Sequence, residues 1–171
     1  MESEISILRS DAPLKTISEL LNRNEYIYRY EILDLSIKES NRIVSEYLKI
    51  PLATRVLSYK KLRIINDLPC SLEQVYIESE KVLGLEKEDL TNVSLYEKIK
   101  ELYGYSISKT SEEIKVVKPT LEEKRLLKLD DEEYVSLTTG VSYLDNGSIL
   151  EYYTLISRYN FFKYKSVNRY E

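Results

Sequence analysis

Residues Thr54 to Glu78 read TRVLSYKKLRIINDLPCSLEQVYIE, and this stretch decides the fold. Two runs rich in β-branched and aromatic residues, Arg55 to Ile65 and Cys70 to Ile77, flank the turn residues Asn66-Asp67-Leu68-Pro69, the pattern of a β-hairpin. A two-residue Asn66-Asp67 loop would put Asp where a type I′ turn favours Gly and leave Pro69, which lacks an N–H, close behind in the ladder. A three-residue loop, Asn66 to Leu68, is therefore expected. Its register sets Lys61 opposite Glu73 and Arg63 opposite Ser71, because strand side chains alternate and opposed residues share a face. That face also carries Tyr59 and Val75. The other carries Val56, Leu62, Ile64, Cys70 and Leu72 and is expected to be the packed side.

Two cations, a carboxylate and a hydroxyl held on rigid strands could bind a small anionic, hydroxyl-rich ligand. Spacing alone favours a plainer alternative, in which cross-strand charge pairs decorate a solvated sheet face. Composition narrows the functions open to the chain. At 171 residues, 43% apolar and 32% charged, it suits one soluble domain with a single core. The net charge of −4 supplies no basic field for nucleic acid. The acidic start Met1-Glu2-Ser3-Glu4 lacks the basic segment and apolar run of a signal peptide, and no apolar stretch is long enough for a membrane span. The chain reads as cytoplasmic, with no membrane association.

Histidine is absent and there are only 4 glycines. Imidazole bases, Ser-His-Asp and Cys-His systems and His-based zinc sites are thereby removed, as are glycine-rich phosphate loops. No catalytic residue, cofactor or metal is expected. Cys70, the one cysteine, reads as a small buried hydrophobe.

Along the chain, residues 1–10 read as a flexible tail. Asp11 and Pro13 then introduce an amphipathic helix with Leu14, Ile17, Leu20 and Leu21 on one face. Tyr26 to Ile37 alternates as a strand, and Ser40 is placed to cap a helix running toward Pro51. After the hairpin come a short helical piece at Ser79 to Leu85 and a helix opened by a Ser94–Glu97 capping box and closed at Gly104. Its N-terminus could hold an anion. Ile107 to Lys118 reads as a strand, Thr120–Glu123 as a second capping box, and Tyr134–Tyr143 with Ile149–Tyr164 as a second hairpin around Asp145-Asn146-Gly147. No repeat or linker divides the chain. The order implies an α+β domain, one antiparallel sheet flanked by helices.

Several of these features occur together in a known order. They are Lys61-Leu62-Arg63 on a strand, Pro69-Cys70-Ser71-Leu72-Glu73 at its turn, Ser94-Leu95-Tyr96 before a helix, and Asn146-Gly147 followed by Glu151 and a strand around Arg158. In this arrangement the chain resembles, from about Asp11 to Tyr164, the UTRA domain. That domain is the effector-binding module of GntR-type bacterial transcription regulators of the HutC subfamily, with a chorismate-lyase-like fold. The resemblance implies one pocket in which Lys61 and Arg63, helped by Ser94 and Tyr96, neutralise an anionic metabolite such as a sugar phosphate. Glu73 and Glu151 would accept from its hydroxyls, and Arg158 would complete the lining. Lys61 stands where sugar-phosphate binders tend to have Arg, and Ser157 where a tyrosine is common. The resemblance also implies a homodimer that touches DNA only through an N-terminal winged helix-turn-helix. Nothing before Asp11 could supply that domain, so a piece of a longer regulator is expected, or else a stand-alone domain. Two other classes remain open: a chorismate-lyase-like enzyme, and a dimerisation module with a vestigial pocket.

Overall fold

A computed structural model describes residues 7–10, 21 and 26–165, with only the backbone described for residues 7–10. Six strands form one antiparallel sheet: β2 (Tyr28–Glu39), β3 (Arg55–Ile65), β4 (Leu68–Glu78), β5 (Ile107–Val117), β6 (Val135–Leu144) and β7 (Ile149–Arg158). Their order across the sheet is β2-β3-β4-β7-β6-β5. The two hairpins β3–β4 and β6–β7 therefore meet at the centre through β4 and β7, and the expected α+β architecture is the observed one. Within the stretch read as a tail, β1 (Ile7–Ser10) pairs in parallel with β8 (Phe162–Lys165) as a separate two-stranded ribbon. The helix expected around Leu14, Ile17 and Leu20 lies outside the described residues apart from Leu21, which is helical and fully buried.

The central hairpin turns differently from the expectation but arrives at the same register. Ile65 pairs with Leu68, so the loop has two residues, and both Asn66 and Asp67 adopt positive φ, 48° and 64°. Asn and Asp tolerate this left-handed geometry better than other non-glycine residues. A register shift follows between Arg63 and Ile64, after which Arg63 faces Ser71 and Lys61 faces Glu73. The irregularity absorbs the residue that the shorter loop gives up. It also turns Cys70 into a cluster with Ile65, Leu155, Phe161 and Leu21, on the Lys61 face and not the opposite one.

Both faces of the sheet are covered, so neither is the solvated side. Helices α1 (Arg42–Leu48) and α3 (Leu121–Leu127) pack on one face, through clusters around Val44, Val56 and Tyr152 and around Leu62, Leu72 and Leu127. Helix α2 (Leu95–Tyr103) packs on the other through Leu95 and Ile99, against Leu57, Tyr59, Val75 and Ile77. Burial on both sides explains why β3 is buried at nine of its eleven positions. The caps follow their chemistry with two exceptions. Thr120 and Glu123 form the expected reciprocal box. Asn41, not Ser40, caps α1 by accepting from the Val44 amide, while the Ser40 hydroxyl pairs with that of Ser45. Ser94 occupies the N-cap of α2 without a side-chain cap bond. No helix among the described residues is long and apolar enough to cross a membrane.

One close approach fixes the far side of the sheet. Tyr153 on β7, Gly140 on β6 and Glu112 on β5 share one row, and the Tyr153 hydroxyl reaches over Gly140 to donate to Glu112. A Cβ on residue 140 would overlap the tyrosine ring. Gly140→Ala is expected to lower stability by about 1–3 kcal/mol through this overpacking. Thermal denaturation checks it, and an unchanged midpoint would mean that the ring does not lie across the glycine in solution.

Candidate effector site

The site lies on the face covered by α2, where alternation brings Tyr59, Lys61 and Arg63 of β3 alongside Val75, Glu73 and Ser71 of β4. Lys61, Arg63 and Glu73 are 5%, 2% and 7% exposed, which excludes the reading of a solvated charge pair. The Lys61 Nζ stands 3.2 Å from Glu73 Oε2, and Arg63 Nη2 stands 3.6 Å from the same oxygen. Arg63 also donates to Ser71 Oγ at 3.1 Å. Tyr30 on β2 lies over both cations, 4.8 Å from Lys61 Nζ and 5.3 Å from Arg63 Cζ, a favourable cation–π placement. Burial alone would raise the Glu73 carboxyl, but Lys61 and then Arg63 outweigh it and hold the group below its usual range. Two cations against one carboxylate leave an excess positive charge at this end of the site.

Glu151 forms the other end and is 0% exposed. Its Oε1 accepts from Ser142 at 2.7 Å and from the Tyr96 hydroxyl at 2.9 Å. No ion pair is found for it among the described residues. Burial is the main reason its carboxyl is pushed up to about 7, with Glu73 adding to the rise while Ser142, Tyr96 and Lys61 oppose it. Tyr96 is half-buried overall. Its hydroxyl faces inward and is raised well above its ordinary value, first by desolvation and then by Glu151.

Four buried side-chain atoms lack a hydrogen-bond partner among the described residues: the Tyr59 hydroxyl, Arg63 Nε, Glu73 Oε2 and Glu151 Oε2. Unmatched buried polar atoms are costly, and they are expected where a ligand supplies the missing partner. The set contains donors at the cationic end and an unpaired carboxylate oxygen on Glu151, while Glu73 Oε2 is the oxygen already held by the charges of Lys61 and Arg63. The set matches a small molecule with an anionic group and several hydrogen-bond donors.

The structure thus brings together Lys61, Arg63, Glu73, Tyr96 and Glu151. Ser94 sits nearby at the start of α2, with no hydrogen bond to the cluster. Arg158 is removed from the site. Its guanidinium donates to the carbonyls of Leu127 and Lys128 at 2.7 and 3.1 Å, which close the C-terminal end of α3, and to the Pro69 carbonyl at 3.1 Å, and it pairs with Glu133. It lies on the opposite face, where a cation suits exposed helix carbonyls. Tyr30 and Ser142 were missed. A two-residue Asn146-Gly147 loop counts Ser142 opposite Glu151, as observed, so that signal was present in the sequence. Tyr30 had none, because its contact depends on how β2 docks on β3.

A six-stranded antiparallel sheet with a buried polar site under a helix is the arrangement of a small-molecule-binding regulatory domain. The family model of the UTRA domain matches residues 24–163, and the chain belongs to that family. Solved structures agree in fold. The PhnF protein of Mycobacterium smegmatis superposes with a TM-score of 0.86 at 17% identity, over 98% of this chain and 73% of that one. The effector domain of the same PhnF gives 0.83 at 19% identity, over 92% and 98%. A GntR-family transcriptional regulator from Bacillus cereus gives 0.74 at 23% identity, over 83% and 99%. None of the curated proteins matches the sequence.

Proposed function

We propose that this domain senses a small anionic metabolite of the sugar-phosphate kind. In this reading it acts in the cytoplasm as a homodimer, within a HutC-type regulator, and controls DNA binding by an attached winged-helix domain. The carrying observation is the excess positive charge of the buried Lys61–Glu73–Arg63 group, set across the site from the unpaired oxygen of Glu151. The anionic group would take Lys61 and Arg63 Nε, and Glu73 and the unpaired oxygen of Glu151 would accept from ligand hydroxyls. Ligand could act only through unequal affinity for the DNA-competent and DNA-incompetent arrangements.

A thermal-shift screen of sugar phosphates tests the proposal, followed by Arg63→Ala. A charge-assisted contact in a partly dry site contributes about 1.5–3 kcal/mol, so Arg63→Ala should weaken binding of any hit about ten- to a hundredfold. Lys60→Ala is the control. Lys60 lies on the opposite face, paired with Glu122 on α3 at 2.8 Å, and its loss should leave the ligand shift intact. Equal binding by Arg63→Ala and the parent would overturn the site assignment. Steady turnover of chorismate, lost in Arg63→Ala, would replace the sensor reading with a lyase.

A further inference from the structure

Tyr59 lies on β3 two positions before Lys61 and on the same face. Its ring is fully buried in the cluster formed with Leu57, Val75, Ile77, Leu95 and Ile99. Packing of that kind asks only for an aromatic body, which a phenylalanine would supply. The hydroxyl is one of the four buried side-chain atoms without a hydrogen-bond partner among the described residues, whereas buried tyrosine hydroxyls usually find one. Desolvation, then the Glu73 charge and Tyr30, hold the phenol well above its ordinary value, with Arg63 opposing them. The group therefore stays protonated and remains able to donate across the physiological pH range.

Register places this donor between the two ends of the site. Tyr59 pairs with Val75, and Val75 with Tyr153, in a row lying between the Lys61–Glu73 pair and the row in which Ile77 meets Glu151. The Tyr59 ring stands 5.4 Å from Lys61 Nζ, and its hydroxyl lies within the fields of Glu73 and Arg63. Arg63 Nε, the other buried N–H without a partner, belongs to the same group. We propose that Tyr59 is a ligand-binding residue, its hydroxyl donating to the anionic group of the effector on the side that faces Glu151, beside Lys61 and Arg63 Nε. Three donors from three side chains suit a group with three terminal oxygens, as in a phosphate monoester or a phosphonate. A neutral phenol adds a donor without adding charge, so it tightens the hold on the anion and leaves the balance among Lys61, Arg63 and Glu73 as it is.

The inference rests on the anion-sensing reading of this site and names a further residue within it. Tyr59→Phe tests it, because the ring and its packing remain. In phosphate-free buffer the variant should melt at or above the parent's midpoint, since it loses a buried hydroxyl that has no partner. In calorimetric titrations with inorganic phosphate, and with any sugar phosphate found in the screen, it should bind about tenfold or more weakly. That is the usual loss for a hydrogen bond to a charged group. Weaker binding without lost stability is a result that a purely structural role would not give. A midpoint below the parent's would overturn the assignment, since the hydroxyl would then have a partner inside the protein. Equal anion affinity in variant and parent would overturn it as well. If Arg63→Ala loses binding in that case, the anion site stands without Tyr59. If Arg63→Ala also binds like the parent, or if the parent responds to no phosphate compound, both readings fail.

Discussion

Glu73→Ala should cost the unliganded domain about 3–5 kcal/mol, the usual consequence of removing one member of a buried charge group. Lys61 and Arg63 would keep their charges at 5% and 2% exposure, and no other carboxylate forms an ion pair with either cation among the described residues. For a chain of this length the melting midpoint should fall by on the order of 10 °C. Inorganic phosphate or sulfate should recover part of the loss, since an anion can take the place that Glu73 leaves. Glu73→Gln should fall less far, because the amide keeps one acceptor. A midpoint within a degree or so of the parent, with no rescue by anions, would show that the three groups are solvated in solution and that the excess charge assigned to the site is absent.

The second large effect is a stability profile that declines toward neutral pH. The Glu151 carboxyl is raised from its usual 4.5 to about 7 in the folded chain. Between those values the folded state holds a proton that the unfolded state has released, so stability is greatest below about pH 4.5 and is lost as pH rises to about 7. The difference corresponds to about 3 kcal/mol for this fully buried group. Glu73 and Asp34 act in the other direction, since both carboxyls are lowered. Their contributions are lost only as pH falls below their usual values of 4.5 and 3.8. The unliganded domain should therefore be most stable near pH 5. Glu151→Gln, which keeps an oxygen for Ser142 and Tyr96, should flatten the decline between pH 5 and 7. Melting curves of parent and variant across that interval decide it, and parallel profiles would assign the slope to another group. A ligand donor placed on Glu151 Oε2 would favour the ionised form, so binding near neutral pH should release protons, measurable as a buffer-dependent heat.

Much of the central site was determined by short-range rules that act within one hairpin. Alternation with period two and the count across the turn were enough to set Lys61 opposite Glu73 and Arg63 opposite Ser71, even though the loop expected was a residue too long. The compensation is physical. The hydrophobic pattern of the flanking strands fixes which side chains face inward, and an irregularity beside Cys70 adjusts the turn to that pattern. The same alternation excludes Arg158, which is seven positions from Glu151 on one strand and so on its other face. At Arg158 the motif resemblance conflicts with a rule that the sequence itself contains.

What the chain by itself could not determine is everything that depends on how distant elements dock. Two faces of a sheet carry similar alternating patterns whether one or both are covered, so burial of Lys61 and Arg63 became evident only with α2 and Leu21 packed over their face and α1 and α3 over the opposite one. The rise of Glu151 has the same origin. A carboxylate beside a serine and a tyrosine is ordinary in water, and its weakened acidity comes from desolvation beneath α2 with Lys61 already committed to Glu73. Tyr96 reaches Glu151 across 55 positions. Local propensity carries no information about a contact of that separation, because only the closed tertiary structure brings the two groups within a hydrogen bond and keeps water out.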